Sequence, residues 1–400
     1  MELSSEDNFR LNVLLANKPK AIRIDESRLI VYGLSEKGEA KVALNPTGRA
    51  EQYLRAVKEL ISGHILGSPG GYPVYLRRWT RMGQMRDESL EQLLMLGEPE
   101  AVVAAVGSPG LTEALARRAW WAMEDADNAR RMLENPNIAA SGMGQVLADY
   151  LLDYLPFETE TDQMTASIRL ILESGLIDEA VLDDLWAKSG RKQAYLVGFL
   201  QAIPDRLPQP VAPRADAARL DAALQAEIEA GNPIAKLLLR IVGTQGQTYL
   251  KAVASVLAKP PNQDLVTATF DCLRDYFSVM RSEDDPKLDL DGLVAEAETF
   301  VAAAVTTRVA DSAQAGEFVD PEANIGANIA ACLAAAPSTR EDLTAMRILS
   351  GAGYGLIRPV LSDPATLGSL MRRKLAPVID PLQARIAQLR GVARQDPQAQ

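Results

Sequence analysis

Chemistry-bearing side chains are densest between Gly63 and Arg86. This stretch holds the only histidine, His64, then Gly67-Ser68-Pro69-Gly70-Gly71, then Tyr72, Tyr75, Arg77, Arg78, Trp79, Arg81 and Arg86. One histidine excludes multi-histidine metal sets by count, and a Ser–His–Asp mechanism would have to use His64. Ser68 lies in Gly-Ser-Pro-Gly rather than a Gly-x-Ser-x-Gly elbow, and Pro69 lacks the backbone N–H such an elbow uses in its oxyanion hole. The glycines also lack the Lys-Ser/Thr of a phosphate loop, and they precede a predicted strand rather than a helix. His64 is therefore read as a structural residue beside a turn.

The arginines and rings that follow have the composition of a nucleic-acid surface, since guanidinium groups bind phosphates and rings stack on unpaired bases. Tyr72, Arg77, Arg78, Trp79, Arg81 and Arg86 are the candidate partner or RNA surface. In a strand from Tyr72 to Trp79, however, Arg77 and Trp79 share one face while Arg78 takes the other. At most half the set converges, and a tryptophan under arginine stems is commonly packing. A docking surface for protein is the preferred reading.

Other constellations dissolve on inspection of their spacing. Lys287 to Glu298 matches a calcium loop at positions 3, 5, 6 and 12, but Lys287 puts a cation where the first carboxylate is needed. Asp289 or Asp291 as a helix cap is the better account. Ser350-Gly351-Ala352-Gly353-Tyr354-Gly355 follows a helical segment rather than a strand, so close helix packing explains it better than a dinucleotide fingerprint. Adjacent residues on a helix point about 100° apart, which makes one ring of Trp120-Trp121 core and the other a boundary contact. Cys272 and Cys332 lie 60 residues apart with no Cys-x-x-Cys spacing. No catalytic residue, metal ligand or cofactor is assigned, and no carboxylate pair stands out as an acid/base couple.

These residues must be positioned by a mainly α chain: a small N-terminal α+β module followed by irregular helical domains. Ser4 or Ser5 caps a first helix to Asn17, then Ala21–Asp25, Arg28–Leu34 and Ala40–Asn45 alternate as an antiparallel meander. A helix is expected over Gly48–Ser62, then the Gly/Pro loop and a fourth strand over Tyr72–Trp79. From Asp87 onward, runs of about 9 to 15 residues with helical apolar spacing are punctuated by Gly, Pro, Asp and Asn. The expected domains are 1–86, a helical array over 87–203, a proline-rich linker over 204–214, a second helical domain over 215–392 and a polar tail over 393–400. The tail is expected to fray, and no strict repeat period emerges.

Charge is unevenly placed on this chain of 400 residues. Residues 1–86 carry 14 Lys/Arg and 9 Asp/Glu; subtracting these from totals of 42 and 53 leaves 28 and 44 for the remainder. A basic N-terminal part against an acidic remainder suggests an anionic partner or docking on the chain itself. The longest nearly apolar stretch, Ile325–Ala336, is too short to span a bilayer, and the acidic N-terminus has no secretory core. A cytoplasmic location without membrane attachment is expected.

The run Gly63-His64-Ile65-Leu66-Gly67-Ser68-Pro69-Gly70-Gly71-Tyr72-Pro73-Val74-Tyr75-Leu76-Arg77-Arg78-Trp79, continuing through Met95, resembles the DsrS family of sulfur reduction proteins. Leu11-Asn12-Val13-Leu14-Leu15-Ala16-Asn17-Lys18-Pro19, Ala21-Ile22-Arg23-Ile24-Asp25-Glu26-Ser27 and Arg117-Arg118-Ala119-Trp120-Trp121-Ala122-Met123 also fit, so the likeness covers about residues 5–135. The resemblance implies a soluble cytoplasmic accessory or regulatory factor of the reverse-acting dissimilatory sulfite reductase system in sulfur-oxidising bacteria. It carries over no catalytic residue. The expected function is thus non-catalytic, exerted through protein partners of the sulfur oxidation machinery. An RNA-binding post-transcriptional regulator using the basic N-terminal module is the alternative, and a carboxylate-based enzyme the third reading.

The RNA reading makes a sharp prediction. Bulk RNA is expected to bind at low salt in a filter assay, with affinity falling steeply as salt rises. Absence of binding at low salt removes it.

Overall fold

The computed structural model describes residues 2–73, 87–282, 287–306, 321–361 and 368–392. It is mainly α, with one three-stranded antiparallel sheet near the N-terminus among the described residues. The chain divides into two compact units, Met1–Phe157 with Ser174–Ile177, and Glu158–Glu173 with Asp178–Gln400.

The first unit opens with α1 (Ser5–Ala16), whose N-terminus is capped by the Ser4 hydroxyl accepting from the Asp7 N–H. It buries Leu11, Leu14 and Leu15 against β1 (Ala21–Asp25), β2 (Ile30–Ser35) and β3 (Gly38–Ala43). The strands form a simple meander, with Ile22 opposite Gly33 and Val31 opposite Val42. Gly33 is needed where α1 crosses the sheet, because a Cβ there would lie 2.9 Å from the Leu14 side chain. Helix α2 (Ala50–Leu66) closes this core with Tyr53, Leu54, Val57 and Ile61. The Tyr53 hydroxyl donates to buried Asp7 at 2.6 Å, and the Asn45 N–H donates to the same carboxylate oxygen at 2.8 Å. One carboxylate thereby joins α1, the strand exit and α2.

Two sequence expectations change here. Helix α2 continues to Leu66, so His64 is an exposed residue of its last turn rather than part of the Gly/Pro loop. Tyr72 and Pro73, expected to begin a fourth strand, are helical, and the rest of that segment, 74–79, lies outside the described residues. Gly67, at φ 68°, is the left-handed cap that ends α2 there.

Helices α3 (Asp87–Leu94), α4 (Pro99–Val106), α5 (Glu113–Ala122), α6 (Ala126–Leu133), α7 (Pro136–Ala139) and α8 (Gly142–Tyr154) complete the unit. Residue 86 is not a domain boundary. Gly97 packs against Ile22 and Ile24 of β1, and Arg23 of β1 lies over the rings of Tyr32 and Trp121. The Trp121 indole N–H also donates to Glu39 at 2.9 Å.

The second unit is helical: α9 (Thr161–Ser174, whose last residue belongs to the first unit), α10 (Glu179–Ser189), α11 (Gln193–Ala202), α12 (Ala217–Glu229), α13 (Pro233–Val242), α14 (Thr244–Ala258) and α15 (Gln263–Tyr276). They are followed by α16 (Leu290–Thr306), α17 (Pro321–Ala335), α18 (Arg340–Leu349), α19 (Tyr354–Ile357) and α20 (Gly368–Leu389). The proline-rich segment 204–214, expected as a linker, is built into this unit instead. Leu207 is buried, the Val211 N–H donates to Thr248, and Arg214 bridges Asp216 and Asp342 while donating to the Leu389 carbonyl. Prolines fix the backbone shape there and these bonds fix its place. Residues 393–400, expected to fray, lie outside the described residues.

Helix α20 runs through Pro377 and Pro381. Each interior proline costs about 3 kcal/mol. Seven side chains of this helix, from Met371 to Leu389, are buried. At about 1.5–3 kcal/mol each, that burial outweighs both prolines.

A second ion cluster links α16, α17 and α18. Arg347, 3% exposed at its side chain, donates to Glu296 at 2.6 Å, to Glu322 at 2.9 Å and to the Met280 carbonyl at 2.6 Å. Arg281 meets the other oxygen of Glu296 at 2.8 Å. Burial acts to raise both carboxyls, but hydrogen bonds from Arg347 and Arg281 hold Glu296 below its ordinary value. Bonds from Ser282 and Arg347 do the same for Glu322.

Two outcomes are expected from this cluster. Arg347→Met should destabilise the protein by about 3 kcal/mol in urea unfolding at neutral pH, because two carboxylates lose their buried partner. Carboxyls depressed by folding stabilise above their unfolded value of 4.5 and lose that contribution as pH falls through the lower folded value. Wild type should therefore lose more stability than Arg347→Met between pH 7 and the acid side of that range, and equal losses would show that the cluster is not linked to folding.

Candidate functional site

Of the six residues named as a candidate surface, Tyr72 is described; Arg77, Arg78, Trp79, Arg81 and Arg86 lie outside the described residues. Tyr72 is half-buried, and its N–H donates to both carboxylate oxygens of Glu98 at 3.3 Å. Burial raises the Glu98 carboxyl despite that bond. Buried Ser62 holds the loop from beneath, donating to the Ser68 carbonyl at 2.9 Å and accepting from the Gly71 N–H at 2.8 Å. Gly71, at φ +58°, lies where any Cβ would overlap Glu98. The described part of the loop is a packed turn.

The remaining sequence candidates resolve into structural roles. Asp289 caps α16 by accepting from the Gly292 N–H at 2.8 Å. Gly351 lies against Leu293, which is the close helix packing expected of that glycine run. Trp120 is buried, and Trp121 forms the boundary contact with Arg23. Burial pushes the thiols of Cys272 and Cys332 up to about 12, so both are protonated at neutral pH. Among the described residues no group of three His, Cys, Asp or Glu could hold a metal ion.

Within the second unit a cleft of about 390 Å³ is lined by Arg169, Glu173, Arg240, Asp271, Asp275 and Tyr276. Its charges are arranged as internal pairs. Arg169 meets Glu173 at 2.8 Å, and Arg240 meets Asp205 at 2.6 Å while lying 3.8 Å above the Tyr276 ring. Tyr276 in turn stacks on buried Tyr249 at 3.8 Å. Burial raises the Tyr276 hydroxyl, which suits a donor to Asp205 rather than a base.

The arrangement with the clearest capacity to act lies on α8 in the first unit. This helix buries Met143, Leu147, Ala148 and Leu151 on its inner face. The flank beside that face carries a further apolar row at Val146, Tyr150, Tyr154 and, in the following 3₁₀ turn, Phe157. Val146 is 42% exposed, Tyr154 37% and Phe157 73%. The rings form a chain rooted in the core: Trp120 meets Tyr150 edge-on at 4.8 Å, Tyr150 stacks with Tyr154 at 6.0 Å, and Tyr154 meets Phe157 at 6.4 Å. Such rooted rings are presented with little rotamer freedom left to lose on contact.

Carboxylates border the length of this strip, and Arg117, paired with Glu113, stands at its Gly142 end. Asp149 and Asp153 are exposed on the same helix, and no ion pair engages either among the described residues. Burial raises the Tyr150 hydroxyl first, and the neighbouring Asp125 carboxylate, the Tyr154 phenol and the Glu124 carboxylate add to the shift. From Met132 to Phe157 the sequence has no lysine, arginine or histidine.

Val146, Leu147, Tyr150, Leu151 and Tyr154 have the apolar spacing of one ordinary buried helix stripe, which does not mark them as a site. One signal was present: the 26-residue stretch around them lacks any basic residue.

Stability measurements separate root from tip. Phe157→Ala should change unfolding free energy by no more than about 0.5 kcal/mol, as expected of a surface position. Trp120→Ala should cost about 3–5 kcal/mol. A loss above about 1 kcal/mol for Phe157→Ala would mean that the ring belongs to the packed core rather than to a contact surface. Compared with known proteins, the chain matches no family model, no curated protein and no solved structure.

Proposed function

We propose that this chain is a non-catalytic accessory or regulatory protein of bacterial sulfur oxidation, acting in the cytoplasm by binding protein partners of the reverse-acting dissimilatory sulfite reductase system. The pathway rests on the resemblance carried by Gly63–Met95, Leu11–Ser27 and Arg117–Met123. The mode of action rests on one observation, the row formed by exposed Val146, half-buried Tyr150 and exposed Tyr154 of α8 with exposed Phe157 of the following turn. Aromatic anchors beside a packed core are the groups that dominate protein contacts when they are desolvated. The carboxylates around the row oppose a polyphosphate backbone, so this surface favours protein over nucleic acid. No helix among the described residues is long and apolar enough to cross a membrane, which agrees with a partner met away from the bilayer.

Affinity capture from a sulfur-oxidising lysate tests this reading. Proteins of the sulfite reductase system should be enriched over a charge-matched control bait and lost with the Tyr154→Ala/Phe157→Ala double variant. If none is enriched over the control, the pathway assignment fails.

A further inference from the structure

We propose that the aromatic row on α8 receives an amphipathic helix of a partner protein whose apolar stripe is flanked by arginine or lysine. This deepens the protein-binding reading of the same strip and rests on it. The row recurs at steps of four, four and three residues, from Val146 to Tyr150, Tyr154 and Phe157. That is the spacing with which one helix presents a seam to another. At 1.5 Å per residue the seam is about 16 Å long, about three turns of a facing helix. An extended peptide would match a sheet edge instead, where backbone hydrogen bonds supply the affinity. Here the α8 backbone is satisfied within the helix, so side chains must carry recognition.

The sign of the partner follows from what borders the seam. Asp149 and Asp153 project from α8, Glu124 and Asp125 stand near Tyr150, and no basic side chain occurs on α8 or on α7 before it. Ring faces attract cations through their quadrupole, and guanidinium groups stack on them most readily. An approaching basic flank would meet rings at the centre and carboxylates at the margin, gaining from both. An acidic flank would meet like charge at Asp149 and Asp153, with Arg117 standing only at the Gly142 end of the helix.

A designed peptide of three heptads provides the probe, with leucine at a and d and arginine at e and g. Two further peptides serve as references: a scrambled isomer of identical charge, and a version with glutamate replacing arginine. Fluorescence anisotropy against the full chain should show the phased arginine peptide binding at least about tenfold tighter than the scrambled isomer, with the glutamate version weakest. The Tyr154→Ala/Phe157→Ala variant should lose about tenfold or more in affinity. Asp149→Asn/Asp153→Asn should weaken binding and flatten its dependence on salt.

Equal affinity for the phased and scrambled peptides would overturn the proposal, because charge alone would then account for binding. So would unchanged affinity in the double ring variant, which would place the contact elsewhere. If sedimentation shows the chain pairing with itself and Phe157→Ala abolishes the pairing, a second copy is the occupant and the proposal falls. Failure of the phased peptide, with capture of sulfite-reductase-system proteins still lost in the ring variant, sinks the cationic helix while sparing the protein-binding reading. Phased binding at the strip with no such protein captured sinks the pathway and spares this inference.

Discussion

A helix of eight to fifteen residues is too short to persist alone in water, and most helices of this chain fall in that range. Each must bury a face against its neighbours and satisfy the backbone groups at its ends. The ends are handled locally: Ser4, Thr112, Asp125, Asn135, Ser141, Asp178, Asn232 and Asn262 each accept from a backbone N–H one turn into the helix that follows. The faces depend on the neighbours. Where cover is incomplete, as along the flank of α8, apolar residues stay in water and become available to something else.

Buried charge is the second consequence of assembling many short elements. Arg214 and Arg347 each sit where three segments meet, and each is supplied with two carboxylates and a backbone carbonyl. Arg347 also lies 3.4 Å from the Phe300 ring centroid. A guanidinium can satisfy several directions at once because its five N–H groups lie in one rigid plane. Such clusters add little net stability over a well-packed apolar core, but removing one partner leaves an uncompensated charge.

The aromatic strip and the basic segment near Gly63 illustrate opposite relations between composition and function. The stretch around His64 gathers the chemical groups that attract attention in a sequence, yet its described part is a turn held by Ser62 and Glu98. The α8 row uses ordinary helix-forming residues and draws its character from being uncovered. Its acidic margin gives it a sign, and the link through Tyr150 to Trp120 gives it rigidity.

The mainly α class, the antiparallel meander and the first helix were legible because they are local properties. Alternation, helical periodicity, caps and glycines each act over a few residues. The same holds for the exclusion of histidine-based chemistry, which follows from one histidine, and for Asp289 as a cap rather than a ligand. Helix α20 passing Pro377 and Pro381, the proline-rich segment pinned by Arg214, and the flanking row of α8 were not legible. Each is decided by which distant element lies against it: seven buried side chains in α20, Asp342 and Leu389 beside Arg214, and the incomplete cover that leaves Tyr154 and Phe157 exposed. The sequence alone determined which residues could be buried. Only the tertiary structure decided which were, because burial belongs to pairs of surfaces rather than to a segment of chain.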